Sequence, residues 1–486
     1  MAMPFDRTGA SDRDRWIALI VLCVGFLMII LDATVTNVAL PAIQRDLGFS
    51  QAGLAWVVNA YLIAFGGVLL LAGRFGDLVG RKRVFLGGVL GFTVASLLCG
   101  LAQSQEILIA ARFLQGLGGA TASAVILGMV VTMFRDPAER TRAFSIYSLF
   151  ASAGGSIGLL AGGVITQLVN WHWIFIVNVP IGLLTIALAW RLLEDDPGLG
   201  LERGADVPGA LLLVGALMTT VYTIVGTSRT GWSSGETLGL GAVALVLLVA
   251  FIVREATAHD PLVPLAIFRT RTTGGASLVG ALMVAGLFGQ FFMGALYLQR
   301  VLRFDTLQVG LAFLPLSLGI TTLSLGFTAR AILRFGARAT LLPGIAAIAT
   351  ALLILQGVPV DGDYVRDVLP AMVLFGIGAG LSFPSLTTIA MSSVAPHESG
   401  LASGLVNTST QVGGAVGVAV LATLSGGRTN DLLAVGMASP VALTSGYQLA
   451  FTVAAALAVA SLAAAVGVLR PASASSGARE EDEQAA

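Results

Sequence analysis

The chain has 486 residues, of which 56% are hydrophobic and 11% are charged. A soluble globular domain carries about 25% charged residues. This chain has too few charged residues to cover the surface of a soluble protein, so the composition predicts an integral membrane protein. Lysine plus arginine and aspartate plus glutamate each number 27, so the net charge points to no particular partner, and we expect no nucleic acid. Lys82 is the single lysine and is followed by Arg83, which excludes the Gly-Lys-Ser/Thr loop that holds nucleotide phosphates.

Long apolar runs recur along the whole chain. A helix needs about 20 apolar residues to span the roughly 30 Å hydrocarbon core, and lipid favours segments that satisfy their own backbone hydrogen bonds. The first run is longer than a typical signal-peptide core, and its flank mixes Asp with Arg, which disfavours a cleaved leader. Because the runs are continuous rather than alternating, we predict an all-α membrane protein with fourteen spans: 16–40, 52–73, 83–103, 107–134, 143–168, 171–193, 208–227, 236–254, 274–298, 306–329, 338–357, 368–394, 400–424 and 446–470.

An even number of spans puts both termini on one side. The basic residues concentrate in the loops of that side, so the positive-inside rule predicts cytoplasmic termini, in a bacterial inner membrane. Arg74, Gly80 and Lys82 are also echoed later by Arg330, Gly336 and Arg338, which suggests two related halves, a transporter architecture. The predicted division is 1–15 cytoplasmic segment, 16–193 N-terminal six-helix bundle, 194–272 linker with two extra helices, 273–470 C-terminal six-helix bundle and 471–486 disordered cytoplasmic tail.

The loop after the second span reads "GRFGDLVGRKRVF". It resembles the cytoplasmic loop signature of the major facilitator superfamily, in spacing and in location. Glycines permit a tight turn, and an aspartate can meet a basic side chain or a helix N-terminus, so the loop is predicted to be a latch that breaks and re-forms between two states. A plain positive-inside turn is the alternative. The matching residues are Gly73, Asp77, Gly80, Arg81 and Lys82.

Three further stretches resemble one branch of that superfamily, the fourteen-helix drug:proton antiporters. They are "LDATVTNVALP" in the first span, "WHWIFIVNVPIG" in the sixth and "GLASGLVNTSTQVGGAVGVAVL" in the thirteenth. The resemblance covers nearly the whole chain. It implies two six-helix bundles plus two central helices, and export of small lipophilic drugs or antibiotics driven by proton entry. We expect the two extra helices to lie outside the bundles.

Asp32 is the only charged residue between Arg15 and Arg45. At 1.5 Å per residue it lies about 24 Å from the cytoplasmic start of its helix, and Arg112 lies about 8 Å from the outer start of its own. Both therefore fall in the outer half of the membrane, where opposite charges are expected to pair. "ARFLQGLGGA" resembles the family's fourth-helix motif, with Arg112 and Gly116 in its key places. The alternatives are that Arg112 extends to the outer surface and that Asp32 is an inconsequential surface residue.

"GGSIGLLAGG" resembles the antiporter motif of the fifth helix, with Leu159 where the family has proline. Glycines every four residues share one helix face and let neighbouring helices approach closely, although small-residue packing alone would give the same pattern. The candidates for this packing face are Gly154, Gly158, Gly162 and Gly163.

Polar and aromatic residues of four spans are candidates for the wall of a substrate cavity. They are Asn59, Tyr61, Gln115, Gln290, Phe291, Phe292, Asn407 and Gln411. The three histidines, His172, His259 and His397, have no metal-ligand spacing, and no catalytic cluster is evident, so we expect no metal, no cofactor and no enzymatic activity.

We therefore predict a proton-coupled antiporter that exports small lipophilic, neutral or monocationic compounds across the cytoplasmic membrane by alternating access. Burial would favour the neutral form of Asp32 and Arg112 would favour its charged form. Such a carboxyl can bind and release a proton, and a cationic substrate could compete for the same negative site. The proton gradient would be the only energy source. One alternative is a proton-coupled importer or symporter with the same fold. Another is a membrane-bound enzyme or receptor, which the lack of a catalytic cluster and of any soluble domain longer than a loop disfavours.

Overall fold

A computed structural model describes residues 12–134, 136–200, 205–258, 261–263, 271–391 and 399–469. A few helical side chains, at 12, within 137–156, and at 271, 325 and 399–403, are not described. The predicted tail at 471–486, the first eleven residues, His259 and His397 lie outside this part of the chain. Every regular element within the described ranges is helical.

Seventeen α-helices and two π-helical turns make up the described chain. They are α1 Asp12–Leu47, α2 Gln51–Val79, α3 Arg81–Gly100, α4 Gln105–Met133, α5 Pro137–Leu168, α6 Trp173–Ile176, α7 Asn178–Leu192, α8 Val207–Thr230, α9 Gly235–Thr257, α10 Arg271–Arg300, α11 Thr306–Ala312, α12 Leu314–Thr322, α13 Thr328–Phe335, α14 Ala337–Leu355, α15 Leu369–Met391, α16 Ser399–Ala434 and α17 Ser439–Val468, with π turns at Leu323–Phe327 and Tyr364–Val368.

Twelve helices in the described ranges are long and apolar enough to cross a membrane, with α6 and α7 acting as one. Two shorter apolar stretches, Ile157–Leu168 and Thr306–Thr322, coincide with the other two predicted spans. The span predicted at 306–329 is not one continuous helix, because α11, α12 and α13 are separated by a break at Phe313 and by the π turn. The protein is thus an all-helical, multi-pass membrane protein.

Two hydrogen bonds between helix ends show that α1 and α4 run in opposite directions. Arg15 Nη1 donates to Met133 O at 3.3 Å, so the start of α1 lies beside the end of α4. Gln105 Nε2 donates to Leu47 O at 2.9 Å, so the end of α1 lies beside the start of α4. We call the first of these the terminus side and the second the far side.

Helices α1–α7 pack into one group and α10–α17 into another. Of the two extra helices, α8 lies against both groups: it packs on α2, where Val214 faces Gly67, and on α16. Helix α9 packs on the outside of α8 and exposes apolar side chains such as Leu245 and Val246. Helix α8 is therefore packed against both groups, closely so at Gly67, and α9 lies farther out.

The sequence echo between the two groups has a counterpart in backbone geometry. Gly80 has φ +104° and is the single residue between α2 and α3, and Gly336 has φ +87° and is the single residue between α13 and α14. Side chains disfavour these positive φ angles. Each half therefore makes the same sharp helix–glycine–helix turn at the corresponding place.

The buried core is shared between the two groups on the far side. Val38 and Ile43 of α1 belong to the same apolar cluster as Leu296 and Leu298 of α10. Gln299 Nε2 also donates to Val38 O at 3.2 Å. The two groups are thus packed together on the far side.

Candidate functional site

Asp32 and Arg112 form an ion pair that is buried within the first group of helices. Arg112 Nη1 donates to Asp32 Oδ2 at 2.5 Å, and the side chains are 2% and 0% exposed for Arg112 and Asp32. Helix α1 supplies the carboxylate and α4 the guanidinium. Removing one partner of such a pair would leave an uncompensated buried charge, so each residue holds the other in position.

Amide side chains complete the bonding of Asp32. Gln115 Nε2 donates to Asp32 Oδ1 at 2.7 Å, and Asn178 Nδ2 donates to the same oxygen at 3.1 Å. Gln115 Nε2 also donates to Ser96 Oγ at 2.8 Å. Both carboxylate oxygens therefore have partners, and residues of α1, α3, α4 and α7 are tied together at this point.

Arg112 is held from several directions. Its Nε donates to Val57 O at 2.9 Å and its Nη1 donates to Gln115 Oε1 at 2.6 Å. The guanidinium carbon lies 4.4 Å from the centre of the Tyr61 ring, a cation–π contact. The expectation that Arg112 extends to the outer surface is excluded by this geometry.

Ser96 and Asn178 were missed as site residues by the sequence reasoning, and Gln115 was assigned to the cavity wall instead. Each was visible as a polar residue in an otherwise apolar run, and Asn178 lies inside the family-like stretch "WHWIFIVNVPIG". What the sequence lacks is the rotation of each helix, which decides that these side chains point at Asp32.

A cavity of about 1360 Å³ lies between the two groups of helices. Its far end is marked by Asn37 and Arg112, and its terminus end by Asp77, Arg81 and Asp206. The side chains between are mainly aromatic and aliphatic, which is the usual character of a small-molecule site. The aromatic lining residues are Phe26, Tyr61, Phe65, Phe144, Tyr147, Phe288 and Phe291.

Half of the predicted lining residues lie on this cavity: Tyr61, Phe291, Asn407 and Gln411. The other half do not. Gln115 belongs to the Asp32 network. Asn59, Gln290 and Phe292 are fully buried by neighbouring helices, because a residue one or two positions along a helix from a lining residue points about 100–200° away from it.

Asp32 is not on the cavity wall, although Ile29, Ile30 and Ala33 around it are. The competition between a cationic substrate and a proton for the Asp32 carboxylate stays a prediction, and in this conformation Asp32 does not line the cavity. Arg112 lies on the wall and contacts Asp32. Any influence of a cavity ligand on Asp32 must pass through Arg112 or through the packing of α1.

The far end of the cavity is closed by close contact between α5 and α11. A Cβ atom added at Gly163 would lie 2.8 Å from Thr306 O, and one added at Gly310 would lie 2.6 Å from Leu159 O. Leu307 N also donates to Gln167 Oε1 at 3.3 Å. Only glycine permits the two backbones to approach this closely, so the two groups form a tight seal on this side.

The other predicted glycines of α5 face α1. A Cβ at Gly154 would lie 2.8 Å from Ile30 Cγ2, one at Gly158 would overlap Thr34 Oγ1, and one at Gly162 would lie 3.0 Å from Val35 Cα. The predicted packing face is thus divided between two neighbours, because Gly163 points at α11 and the other three at α1, the helix of Asp32.

The predicted latch residues lie at the terminus side. Asp77 Oδ1 accepts from Arg81 Nη2 at 3.0 Å, and Arg81 Nη1 donates to Gly128 O of α4 at 3.0 Å. Lys82 Nζ lies 3.0 Å from Asp195 Oδ1. Gly73 lies on the cavity wall above them, and Gly80 makes the turn. The expected pairing of Asp77 with a basic side chain is therefore present, between α2 and the start of α3.

The comparisons with known proteins agree with this architecture. The sequence profile of the Major Facilitator Superfamily matches residues 22–418. The chain is 40% identical to a puromycin resistance protein of Streptomyces alboniger over 94% of this chain and 92% of that one. It is 37% identical to a cephamycin export protein of Amycolatopsis lactamdurans over 93% of this chain and 91% of that one.

Among solved structures, a bacterial homologue of the human lysosomal transporter Spinster, inward-facing and unoccupied, superposes with a TM-score of 0.66 at 17% identity. The match covers 96% of this chain and all of that one. An identity this low supports the fold alone. The profile match, which covers most of the sequence, and the two resistance and export relatives show that the chain is a non-enzymatic transporter that belongs to the Major Facilitator Superfamily.

Proposed function

We propose that the protein exports small lipophilic organic compounds, antibiotics among them, in exchange for protons. The observation that carries the proposal is a large and mainly apolar cavity that runs from the terminus side to a closed far side next to a buried aspartate–arginine pair. Relatives named for resistance to puromycin and tetracenomycin C and for export of cephamycin support an antibiotic-like substrate.

The proposed topology has fourteen spans with both termini in the cytoplasm. Helix α5, with 32 residues, is long enough at 1.5 Å per residue to cross the membrane. The chain from Thr306 to Phe335 does so as three short helices joined without an intervening loop. With the twelve continuous spans these two complete the count, and the division into bundles 16–193 and 273–470 with a linker at 194–272 follows from it.

In this topology the end of the cavity opposite the far-side seal lies toward the cytoplasm, the side from which an exporter is loaded. That end carries Asp77, Arg81 and Asp206, while the rest of the lining is mainly aromatic and aliphatic with a few polar groups. A neutral or monocationic lipophilic compound would lose its hydration at little cost there, with Asn407 and Gln411 available for orientation. Release would require the Gly163–Gly310 seal on the far side to open.

Asp32 is proposed to be the coupling proton site, acting through Arg112 rather than through substrate contact. Protonation of the carboxyl would leave Arg112 without its counter-ion and would weaken the bonds that join α1 to α4 and α7. A guanidinium released in this way can change its contact with Tyr61 on the cavity wall. Helix α1 packs on Gly154, Gly158 and Gly162 of α5, and Gly163 of α5 forms part of the far-side seal. A shift of α1 could therefore displace α5 and open the seal.

The available energy suffices for concentrative export. One proton crossing about 100 mV releases about 2.3 kcal/mol, and one pH unit adds about 1.4 kcal/mol. Together they support a gradient of several hundred-fold for an uncharged substrate, with no nucleotide and no cofactor.

Transport by purified protein in liposomes tests both the function and its direction. Vesicles are loaded with puromycin, and an inward or an outward proton gradient is imposed. An exporter that exchanges protons for substrate moves puromycin against the direction of proton flow. Movement of puromycin with the protons would instead identify a symporter and would overturn the proposal.

A further inference from the structure

Two carboxylates outside the Asp32 network are buried at the terminus ends of the extra helices. Asp206 precedes α8 and is 4% exposed, and Glu255 lies near the end of α9 and is 3% exposed. Asp206 lines the terminus end of the cavity together with Pro261 and Leu262. The sequence reasoning had placed no acidic group in this region, because both residues fall just beyond the apolar cores of their helices.

One oxygen of each carboxylate is fully bonded. Asp206 Oδ1 accepts from the backbone of Gly209 at 3.0 Å and from Arg254 Nε at 3.0 Å. Glu255 Oε2 accepts from the backbone of Val263 at 2.9 Å. Asp206 therefore caps α8, and Glu255 holds the short segment 261–263 against the end of α9.

The second oxygen of each carboxylate is buried without a hydrogen-bond partner: these are Asp206 Oδ2 and Glu255 Oε1. A Cβ atom added at Gly209 would lie 2.6 Å from the first and 2.8 Å from the second. Both oxygens thus face the same point beside the α8 backbone. Two ionised carboxylates in this arrangement would repel each other, and an unsatisfied buried oxygen costs about 1–3 kcal/mol.

Among the residues that the structure describes, the cation in contact with the pair is Arg254, which faces Asp206 from α9. Arg74, Asp77 and Arg81 line the same end of the cavity from α2 and α3. From Ser399 to Gly427, the sequence of α16 contains no ionisable residue. Arg254 can neutralise one of the two carboxylates.

We propose that Asp206 and Glu255 share one proton, which makes them a proton-binding site separate from Asp32. The proton forms an O–H bond at Glu255 Oε1 and is donated to Asp206 Oδ2, which remains ionised opposite Arg254. Glu255 Oε2 continues to accept from Val263, so every oxygen has a partner and the net charge is zero. Water in the cavity supplies and accepts the proton. The site does not depend on the direction of transport, and only its use as a second coupling proton rests on the proposed function.

Difference infrared spectroscopy of the purified full chain in nanodiscs tests the site directly. At neutral pH, the wild type should contain the carbonyl band of a protonated carboxyl that is lost in both Glu255→Gln and Asp206→Asn. In each variant a side-chain N–H takes the place of the O–H donor, so the remaining carboxylate stays ionised. Gln and Asn have nearly the same shapes as Glu and Asp. If one of the two variants fails to fold, the other still tests the site.

Glu236→Gln is the matched control. Glu236 joins α9 to Arg229 of α8 at 3.3 Å, as Asp206 and Arg254 do at the other end, but its side chain is 51% exposed. This variant should retain the band, and so should Asp32→Asn, so that failure of the proposed coupling role is distinguishable from failure of this site. A band that persists in Glu255→Gln, or that is absent from the wild type, overturns the proposal. Loss of the band on adding sodium at constant pH does so too, since it identifies a metal-cation site.

Discussion

Arg112 Nη1 lies 2.5 Å from Asp32 Oδ2 in a place where neither side chain is more than 2% exposed. The pair is enclosed by the polar groups of Gln115, Asn178 and the Val57 backbone, and Arg112 separates Asp32 from the cavity. A ligand in the cavity would therefore meet Arg112 and not Asp32. In the function that we propose, this arrangement links substrate and proton without a shared binding position.

The stability of the pair is a first prediction. Asp32→Asn should lower the free energy of unfolding by about 3–5 kcal/mol, because Arg112 is left as a buried, uncompensated cation. The double variant Asp32→Asn, Arg112→Gln should recover much of that loss. Thermal unfolding in detergent measures both. Equal melting temperatures for Asp32→Asn and the wild type would mean that Arg112 is not paired in the membrane.

The packing of α5 on α1 gives a second prediction. Gly158→Ala places a Cβ against Thr34 and 3.2 Å from Leu31 O, so we expect a destabilisation of about 1–3 kcal/mol and slower transport. Gly155→Ala is the control, since a Cβ there meets nothing within 4 Å. The melting temperatures and transport rates of the two variants are compared, and equal behaviour would show that α5 has no close contact with α1.

The far-side seal gives a third prediction. Gln167 and Leu307 are adjacent across the two groups, so cysteines at these positions should cross-link when the far side is closed. Adding Gly310→Ala, whose Cβ would lie 2.6 Å from Leu159 O, should reduce the cross-linking rate. Gly326→Ala meets no neighbour within 4 Å and should leave it unchanged. A seal unaffected by Gly310→Ala would exclude a role for the close α5–α11 contact.

The latch gives a fourth prediction. Asp77→Asn removes the pair with Arg81, which is partly exposed and therefore contributes at most about 1 kcal/mol to stability. Substrate binding should survive, because the cavity interior is unchanged, while turnover falls. Asp195→Asn removes the neighbouring pair with Lys82, whose aspartate is 84% exposed, and should transport almost normally. An Asp77→Asn protein with full turnover would show that the loop serves only as a turn between α2 and α3 and not as a latch.

The sequence was sufficient for the all-helical membrane fold and for the contact between Asp32 and Arg112, while the count of fourteen spans stays a prediction. Helix direction and the rise per residue alone placed Asp32 and Arg112 at matching depth. A charged side chain within the membrane is costly in free energy and is usually paired with an opposite charge. The turn at Gly80 and its echo at Gly336 were also evident, since few residues other than glycine adopt such angles.

The cavity wall could not be predicted as well, because it depends on helix rotation. Phe291 lines the cavity while Phe292, one residue away, is buried. The pair Asp206–Glu255 was missed for a different reason. Both residues adjoin polar linkers, where acidic side chains are usually solvated, and the sequence does not show that Val263 bonds to Glu255 or that Arg254 bonds to Asp206.

The proposed coupling of protons to transport by Asp32 through Arg112 can be measured as uphill puromycin transport in liposomes under an imposed pH gradient. The purified double variant Asp32→Asn, Arg112→Gln is compared with the wild type at equal amounts of folded protein. The wild type should concentrate puromycin, whereas the variant should bind it and only equilibrate it. Uphill transport by the variant at the wild-type rate would contradict the account, because the proton would then be carried elsewhere.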